Sequence, residues 1–331
     1  MKIVSFLLDK HYRIGLYTIN GIYDLNACNY QIMANMNDFL MGGERMMDAA
    51  RRVEEQILQD PARFPSVDVA CLSAPVPYPS SVRDAYAFRQ HVQTSRSNRG
   101  LDMIPEFDQF PVFYFSNHQA VYGQGDIFCM PDHFQKLDFE LEIAVVLNKK
   151  GRNISAQDAG EHIAGYMIMN DFSARSLQME EMKLSLGPAK GKDFATTFGP
   201  WLVTPDELAP YLLDTPLGHE GELFDLRMTA ALNGEQISNG NMCDMQWTFA
   251  EIIERCSYGA TLFPGDIIGS GTVGTGCLLE INGTAKRANP DYKEQWLCPN
   301  DTVTLEVTGL GVLTNTIVSE DNTLRIFKKK E

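Results

Sequence analysis

Glu140 and Glu142 stand two residues apart in LDFELEIAVVLNKK (137–150), whose centre (Ile143, Val145, Val146) is apolar and β-branched and reads as a buried strand. Residues i and i+2 of a strand point to the same face, so the two carboxylates project together. At about 4 Å they repel by roughly 4 kcal/mol at an effective dielectric near 20. That is about three pKa units, so adjacency in an apolar strand calls for a proton or a cation. A solvated strand face, or a pair bridged to Arg or Lys, is the ordinary alternative. The segment Tyr166–Arg175 weighs against it, because this apolar run ends in a third carboxylate, Asp171, where a strand would pass into a loop. A strand-end acid beside two acids on one strand face makes a hard-oxygen site of the kind Mg²⁺ or Ca²⁺ prefers.

The elements that must position these acids are set by a chain of 331 residues, enough for one large domain or a smaller and a larger one. Such a chain buries a substantial core without covalent staples. Lys and Arg number 28 against 43 Asp and Glu, a net charge of −15 that argues against nucleic acid or an anionic membrane as partner. The seven cysteines are scattered and form no CxxC, which fits buried thiols in a reducing compartment. The apolar run IVSFLL near the N-terminus is too short for a signal peptide, and no stretch approaches 18 apolar residues. The expectation is a soluble, cytoplasmic protein.

In chain order, short strands are expected at 2–8, 13–19 and 22–26, with a hairpin turn at Asn20-Gly21. Met36–Gln59 has helical spacing, and a strand at Val67–Leu72 leads into the Pro-rich SAPVPYPSS (73–81), a candidate linker. Residues 1–75 therefore read as a small α+β domain and 76–331 as the main domain. A serine-capped helix is expected over 80–92, which would place Asp84, Phe88 and His91 on one face. A lone histidine there is more often structural than catalytic. Strands fill 110–147, Ser155 caps a short helix, and Leu177–Lys190 reads as a lid or specificity loop, or else as a plain surface connection. A strand at 224–232, a turn at Asn233-Gly234, a strand at 236–238 and a helix at Thr248–Tyr258 follow. The glycine-rich 264–276 departs from a dinucleotide fingerprint because a strand, Cys277–Ile281, is expected after it, and it lacks the P-loop ending. Strands near 302–308 and 314–318 finish a β-rich domain.

Five stretches together resemble the fumarylacetoacetate hydrolase family: DAYAFRQH (84–91), LDFELEIAVV (137–146), MNDFSARSLQ (169–178), LGPAKGKDFATTFGPWLV (186–203) and PGDIIGSGTVGTGCLLE (264–280). The resemblance runs through about 200 residues in the family's order and adds little over the first 75. It implies an α+β, β-rich fold, a mixed β-sandwich or β-roll catalytic domain over 76–331 behind a small N-terminal α+β domain. It implies a metal, Mg²⁺ or else Ca²⁺ or Mn²⁺, held by Asp84, Glu140, Glu142 and Asp171. It further implies His91 paired with Glu280 as the base that activates water, with Arg175, Gln178 and Lys192 stabilising an oxyanion. Tyr86, Tyr114 and Thr272 match substrate-contacting positions, and a homodimer is implied. Two departures fall where the far carboxylate of a substrate would sit. The loop between Gln178 and Lys192 is one residue longer, with Glu181 or Met182 in place of a tyrosine, and an expected arginine is displaced to Arg99 or Arg96.

The activity so implied is that of a hydrolase acting on carbon–carbon bonds in ketonic substances, with a fumarylacetoacetate-like or acylpyruvate-like diketo acid as substrate. A neutral histidine suits a general base near pH 7, a carboxylate orients its ring, and one cationic donor toward an oxyanion is worth about 3–4 kcal/mol. The alternatives are a lyase, decarboxylase, isomerase or hydratase of the same family acting on a 2-keto acid, or a non-enzymatic binding protein stabilised by its metal. The last would not require Lys192 or the His91–Glu280 pair.

Overall fold

The computed structural model describes residues 1–68 and 72–327. Its N-terminal part contains β1 (Lys2–Leu8), β2 (His11–Thr18), β3 (Gly21–Asp24) and the helix α1 (Gly43–Gln59). Then come β4 (Ser81–Ala85), α2 (Arg89–Ser97), β5 (Phe113–Ser116), β6 (Gly125–Cys129), β7 (Leu141–Leu147), β8 (Ile163–Asp171), α3 (Arg175–Met182) and β9 (Thr196–Val203). The remainder holds β10 (Arg227–Leu232), β11 (Glu235–Asn241), α4 (Phe249–Ser257), β12 (Asp266–Gly269), α5 (Leu278–Ala288), β13 (Thr302–Val307) and β14 (Gly311–Ser319).

Among the described residues a ten-stranded mixed sheet runs β3-β2-β1-β9-β8-β7-β12-β4-β5, with the two-residue strand Val121–Tyr122 lying parallel to β9. A second sheet runs β11-β10-β13-β14-β6. The fold is α+β and rich in strand, as expected. The N-terminal strands belong to the large sheet, since Lys2 and Ile3 of β1 pair with Val203 and Leu202 of β9. Val76, in the Pro-rich stretch, is buried, and the Ser5 hydroxyl donates to the Pro75 carbonyl.

β7 explains its own composition. Ile143, Val145 and Leu147 face one core with Met228, Leu305, Leu313 and Ile317 of the second sheet. Ala144 and Val146 face another with Met46, Ala50, Val53 and Ile57 of α1. A strand covered on both faces must be apolar at nearly every position, and each such side chain contributes about 1.5–3 kcal/mol on burial. The acids at its start are thereby fixed in a rigid frame.

Several local expectations hold. Leu232 pairs with Glu235 across Asn233-Gly234, both at positive φ (52° and 85°). Ser155 accepts from the Asp158 amide. Thr248 and Glu251 form a full capping box on α4. The helix expected over 36–59 is divided at Gly42-Gly43, where Gly43 takes φ +57°. The strand expected at 67–72 falls partly on 69–71, outside the described residues; Val67 and Leu72 bridge to Ile22 and Phe6.

Three expectations are corrected. Residues 81–85 form β4, and helix begins only at Arg89, because Val82 and Ala85 are captured between β12 and β5. Asp84 and His91 therefore do not share a helix face. A helix, α5, follows the glycine-rich loop where a strand was expected. Its first amides are satisfied by the distant Asp138, so no local cap marks its start. The segment 177–190 opens as the last six residues of α3 and only then turns. Among the described residues no helix is long and apolar enough to cross a membrane.

Gly165 sits at a register shift between β8 and β7, where an added Cβ would lie 2.4 Å from the Val203 carbonyl oxygen. Gly165→Ala is expected to destabilise the protein by roughly 1–3 kcal/mol, read as a lowered Tm in thermal denaturation; an unchanged Tm would refute this β8–β9 approach.

Candidate active site

The large sheet delivers its acids by register. β8, β7, β12, β4 and β5 are neighbours, with Met169 opposite Glu142, Gly269 opposite both Ala144 and Asp84, and Asp84 opposite Tyr114. Asp171 ends β8, Glu140 and Glu142 lie at the start of β7, and Asp84 lies near the end of β4, so four buried carboxylates meet at one edge of the sheet. Oxygens of Asp84, Glu140 and Glu142 lie within 4.8 Å of one another. Asp171 stands beside this trio, held by the Tyr114 hydroxyl, by Lys192 Nζ at 2.8 Å and by Thr196 Oγ1 at 3.4 Å.

Glycine makes the approach possible. A Cβ on Gly269 would lie 2.6 Å from Asp84 Oδ1, and one on Gly271, at φ +79°, would lie 2.6 Å from the Ala85 carbonyl. The Gly271 amide donates to Asp84 Oδ1 and Glu142 Oε2, both at 3.1 Å, and Thr272 Oγ1 donates to Glu142 Oε1 at 3.3 Å. The glycine loop thus serves carboxylates of the chain itself. That, rather than a missing helix, is what separates it from a phosphate cradle.

Two cations face the acids. Lys192 bridges Glu140 and Asp171. Arg175 donates from Nε to Asp138 at 2.8 Å, from Nη2 to Glu140 at 2.7 Å and from Nη1 to Gln178 Oε1 at 3.1 Å. Burial would raise the Glu140 carboxyl, but Lys192 and Arg175 outweigh it and hold it at about 2. Glu142 is pushed well above the carboxylate range by burial, Asp84 and Glu140, and Asp84 up to about 7 by burial and Asp171. Burial also raises Asp171 against the pull of Lys192. Carboxylates that must keep protons for want of positive charge, in an all-oxygen set, fit a hard divalent cation.

His91 enters from α2 and Glu280 from α5. His91 Nδ1 and Glu280 Oε2 lie 2.6 Å apart, both buried. The helices are stitched by Asn98 Nδ2, which donates to the Glu280 carbonyl and to Thr284 Oγ1 at 3.2 Å each. Tyr86 meets the His91 ring edge-on at 5.9 Å. Asp84, Glu140, Arg175, Lys192 and His91 border one cavity of about 630 Å³, whose wall also includes Val112, Met179, Met182 and Arg99. Of the two residues standing where a tyrosine was expected, Met182 faces this cavity, while Glu181 accepts from the amides of Ala189, Lys190 and Gly191 at 2.7–3.1 Å. Of the two displaced arginines, Arg99 reaches the cavity and Arg96 bonds the Asp102 carbonyl.

Sequence reasoning missed Asp138 and Asn170. Asp138, fully buried, accepts from Arg175 and from the Phe139, Leu278 and Leu279 amides, so one carboxylate ties the arginine to the helix bearing Glu280. Its signal was the period-two run Asp138, Glu140, Glu142. Asn170 accepts from the Glu140 amide at 3.1 Å; nothing local marked it.

The model of the fumarylacetoacetate (FAA) hydrolase C-terminal family matches residues 80–318. The human mitochondrial oxaloacetate tautomerase FAHD2A is 30% identical over 325 residues, 96% of this chain and 92% of that protein. Bovine fumarylacetoacetase is 38% identical over 178 residues, 46% of this chain and 42% of that protein. Among solved structures, the fumarylacetoacetate hydrolase of Exiguobacterium antarcticum superposes with a TM-score of 0.67 at 25% identity, covering 97% of this chain and all of that one. A manganese and pyruvate complex of maleylpyruvate hydrolase from Sphingobium sp. SYK-6 shares the fold, with a TM-score of 0.66, 19% identity, and 96% and 99% coverage. A family match over most of the chain, and a relative alike from end to end, identify this protein as a member of the fumarylacetoacetate hydrolase family.

Proposed function

We propose that the protein is a divalent-metal-dependent hydrolase that cleaves a carbon–carbon bond of a diketo acid, fumarylacetoacetate-like or acylpyruvate-like, with water activated by His91. The observation that carries this reading is the buried His91–Glu280 contact of 2.6 Å, with His91 on the wall of the cavity that Asp84 and Glu140 also border. Asp84, Glu140, Glu142 and Asp171 would hold the cation, Mg²⁺, Mn²⁺ or Ca²⁺, which supplies Lewis-acid charge to a 1,3-dicarbonyl group. Glu280 accepting from Nδ1–H leaves Nε2 with a lone pair, the tautomer a general base needs. His91 then takes a proton from water, and Glu280 stabilises the resulting imidazolium.

The cations meet the charge that forms on carbon–oxygen bonds. Lys192 has three N–H groups, and Glu140 and Asp171 engage two. Arg175 has five, of which Asp138, Glu140 and Gln178 engage three. The groups left over are donors for an oxyanion, pre-aligned by carboxylates and needing little reorganisation. Tyr86, Tyr114 and Thr272 complete the proposed substrate contacts, and a homodimer is part of the same proposal.

A second reading is favoured by the end-to-end likeness to an oxaloacetate tautomerase. In a keto–enol tautomerase the same His91 would carry a proton between carbon and the enol oxygen, and no carbon–carbon bond would be cut. Absorbance loss and product analysis with acylpyruvates, fumarylpyruvate and oxaloacetate separate the two: pyruvate together with an equal amount of the carboxylic acid released from an acylpyruvate or fumarylpyruvate marks hydrolysis, and enol–keto exchange of oxaloacetate with no cleavage of the other substrates rejects it. His91→Ala is expected to lower kcat on the order of 10²–10⁴-fold with metal content unchanged; retained turnover would remove the base. Chelator-treated protein is expected to be inactive until Mg²⁺, Mn²⁺ or Ca²⁺ is returned, and full activity of the stripped protein would sink the metal assignment.

A further inference from the structure

The described residues contain a second, chemically different group of candidate ligands. His91, Cys277 and Glu280 are all buried, and a nitrogen, a sulfur and an oxygen from the three lie within 4.8 Å of one another. Cys277 takes no part in the proposed hydrolysis. It occupies the position just before α5, with the Glu280 backbone amide directed at its sulfur. The Asp84–Glu140–Glu142 group offers only oxygen, whereas this one offers imidazole, thiolate and carboxylate. Hard cations select the former; thiolate with imidazole selects zinc.

We propose that His91, Cys277 and Glu280 form a zinc site, distinct from the all-oxygen site, and that Zn²⁺ bound there switches the enzyme off. Tetrahedral zinc at about 2.0–2.3 Å from its ligands places neighbouring donors about 3.3–3.6 Å apart. The three atoms, already within 4.8 Å of one another, reach that spacing with side-chain shifts of about an ångström, among them an opening of the 2.6 Å contact between His91 and Glu280. Zinc takes the place of the proton on Nδ1, that proton passes through water to Nε2, and the thiol proton leaves to solvent as the sulfur–zinc bond forms. An imidazole bound through Nδ1 keeps its remaining proton on Nε2 and cannot accept one from water. His91 borders the cavity, so the ion reaches the site from that side.

The inhibitory half of the inference rests on His91 being the base; the binding half does not. In saturating Mg²⁺, stoichiometric Zn²⁺ is expected to reduce turnover by roughly tenfold or more, unrelieved by further Mg²⁺ and reversed by a zinc-selective chelator. With each protein normalised to its own zinc-free rate, Cys277→Ser is expected to raise the half-inhibiting Zn²⁺ concentration by roughly tenfold or more, since losing a direct ligand costs at least as much as losing an outer partner. Co²⁺ substituted for Zn²⁺ is expected to give a thiolate-to-cobalt charge-transfer band that is absent in Cys277→Ser. No such band in the unaltered protein, or equal zinc sensitivity in the variant, overturns the proposal. If the chain proves to be a tautomerase, the cobalt band still reports on the trio, so the two readings fail separately.

Discussion

Five buried carboxylates, Asp84, Asp138, Glu140, Glu142 and Asp171, face two buried cations, Arg175 and Lys192, across the edge of one sheet. Charge removed from water must be paired, protonated or bound to metal. Here all three answers are visible or invited: Glu140 is paired, burial and neighbouring acids push Asp84 and Glu142 toward the protonated form, and the oxygens of the trio are close enough to share an ion. Breaking a buried pair by deleting one partner costs roughly 3–5 kcal/mol, so the two cations hold the frame together whatever their part in the proposed chemistry. The sheet accommodates this because β7 is apolar on both faces and rigid. A looser frame would let the acids turn out to solvent.

Asp138 joins this charged edge to the proposed base. By accepting from Arg175 on one side and the first amides of α5 on the other, it fixes the distance between the acid cluster and Glu280. It also favours the positive end of that helix dipole. The two halves of the site, one carried by strands and one by helices, thus share a single anchor.

Much of this was legible where local chemistry decides local structure. The acid pair on β7, Asp171 at a strand end, the Asn233-Gly234 turn and the Thr248–Glu251 cap depend on residues near in sequence. What stayed hidden depends on partners far away. Residues 81–85 look helical, yet Val82 pairs with Ile267, which the chain reaches only much later. Cys277–Ile281 looked like a strand because the carboxylate that starts the helix α5 is the distant Asp138. The resemblance carried His91 and Glu280 to one place, and residue pattern alone would not have done so. Pairing energy between distant segments overrides propensity, and propensity is all a short window contains.

The grip of Glu181 on the amides of residues 189–191 has an evolutionary side. It closes a small ring just upstream of Lys192, so the span 183–187, with Leu184 and Leu186 out in solvent, hangs from a fixed base. That span is free to lengthen, shorten or change composition without dragging the lysine out of place. A loop pinned at its base in this way can vary over a scaffold that stays the same.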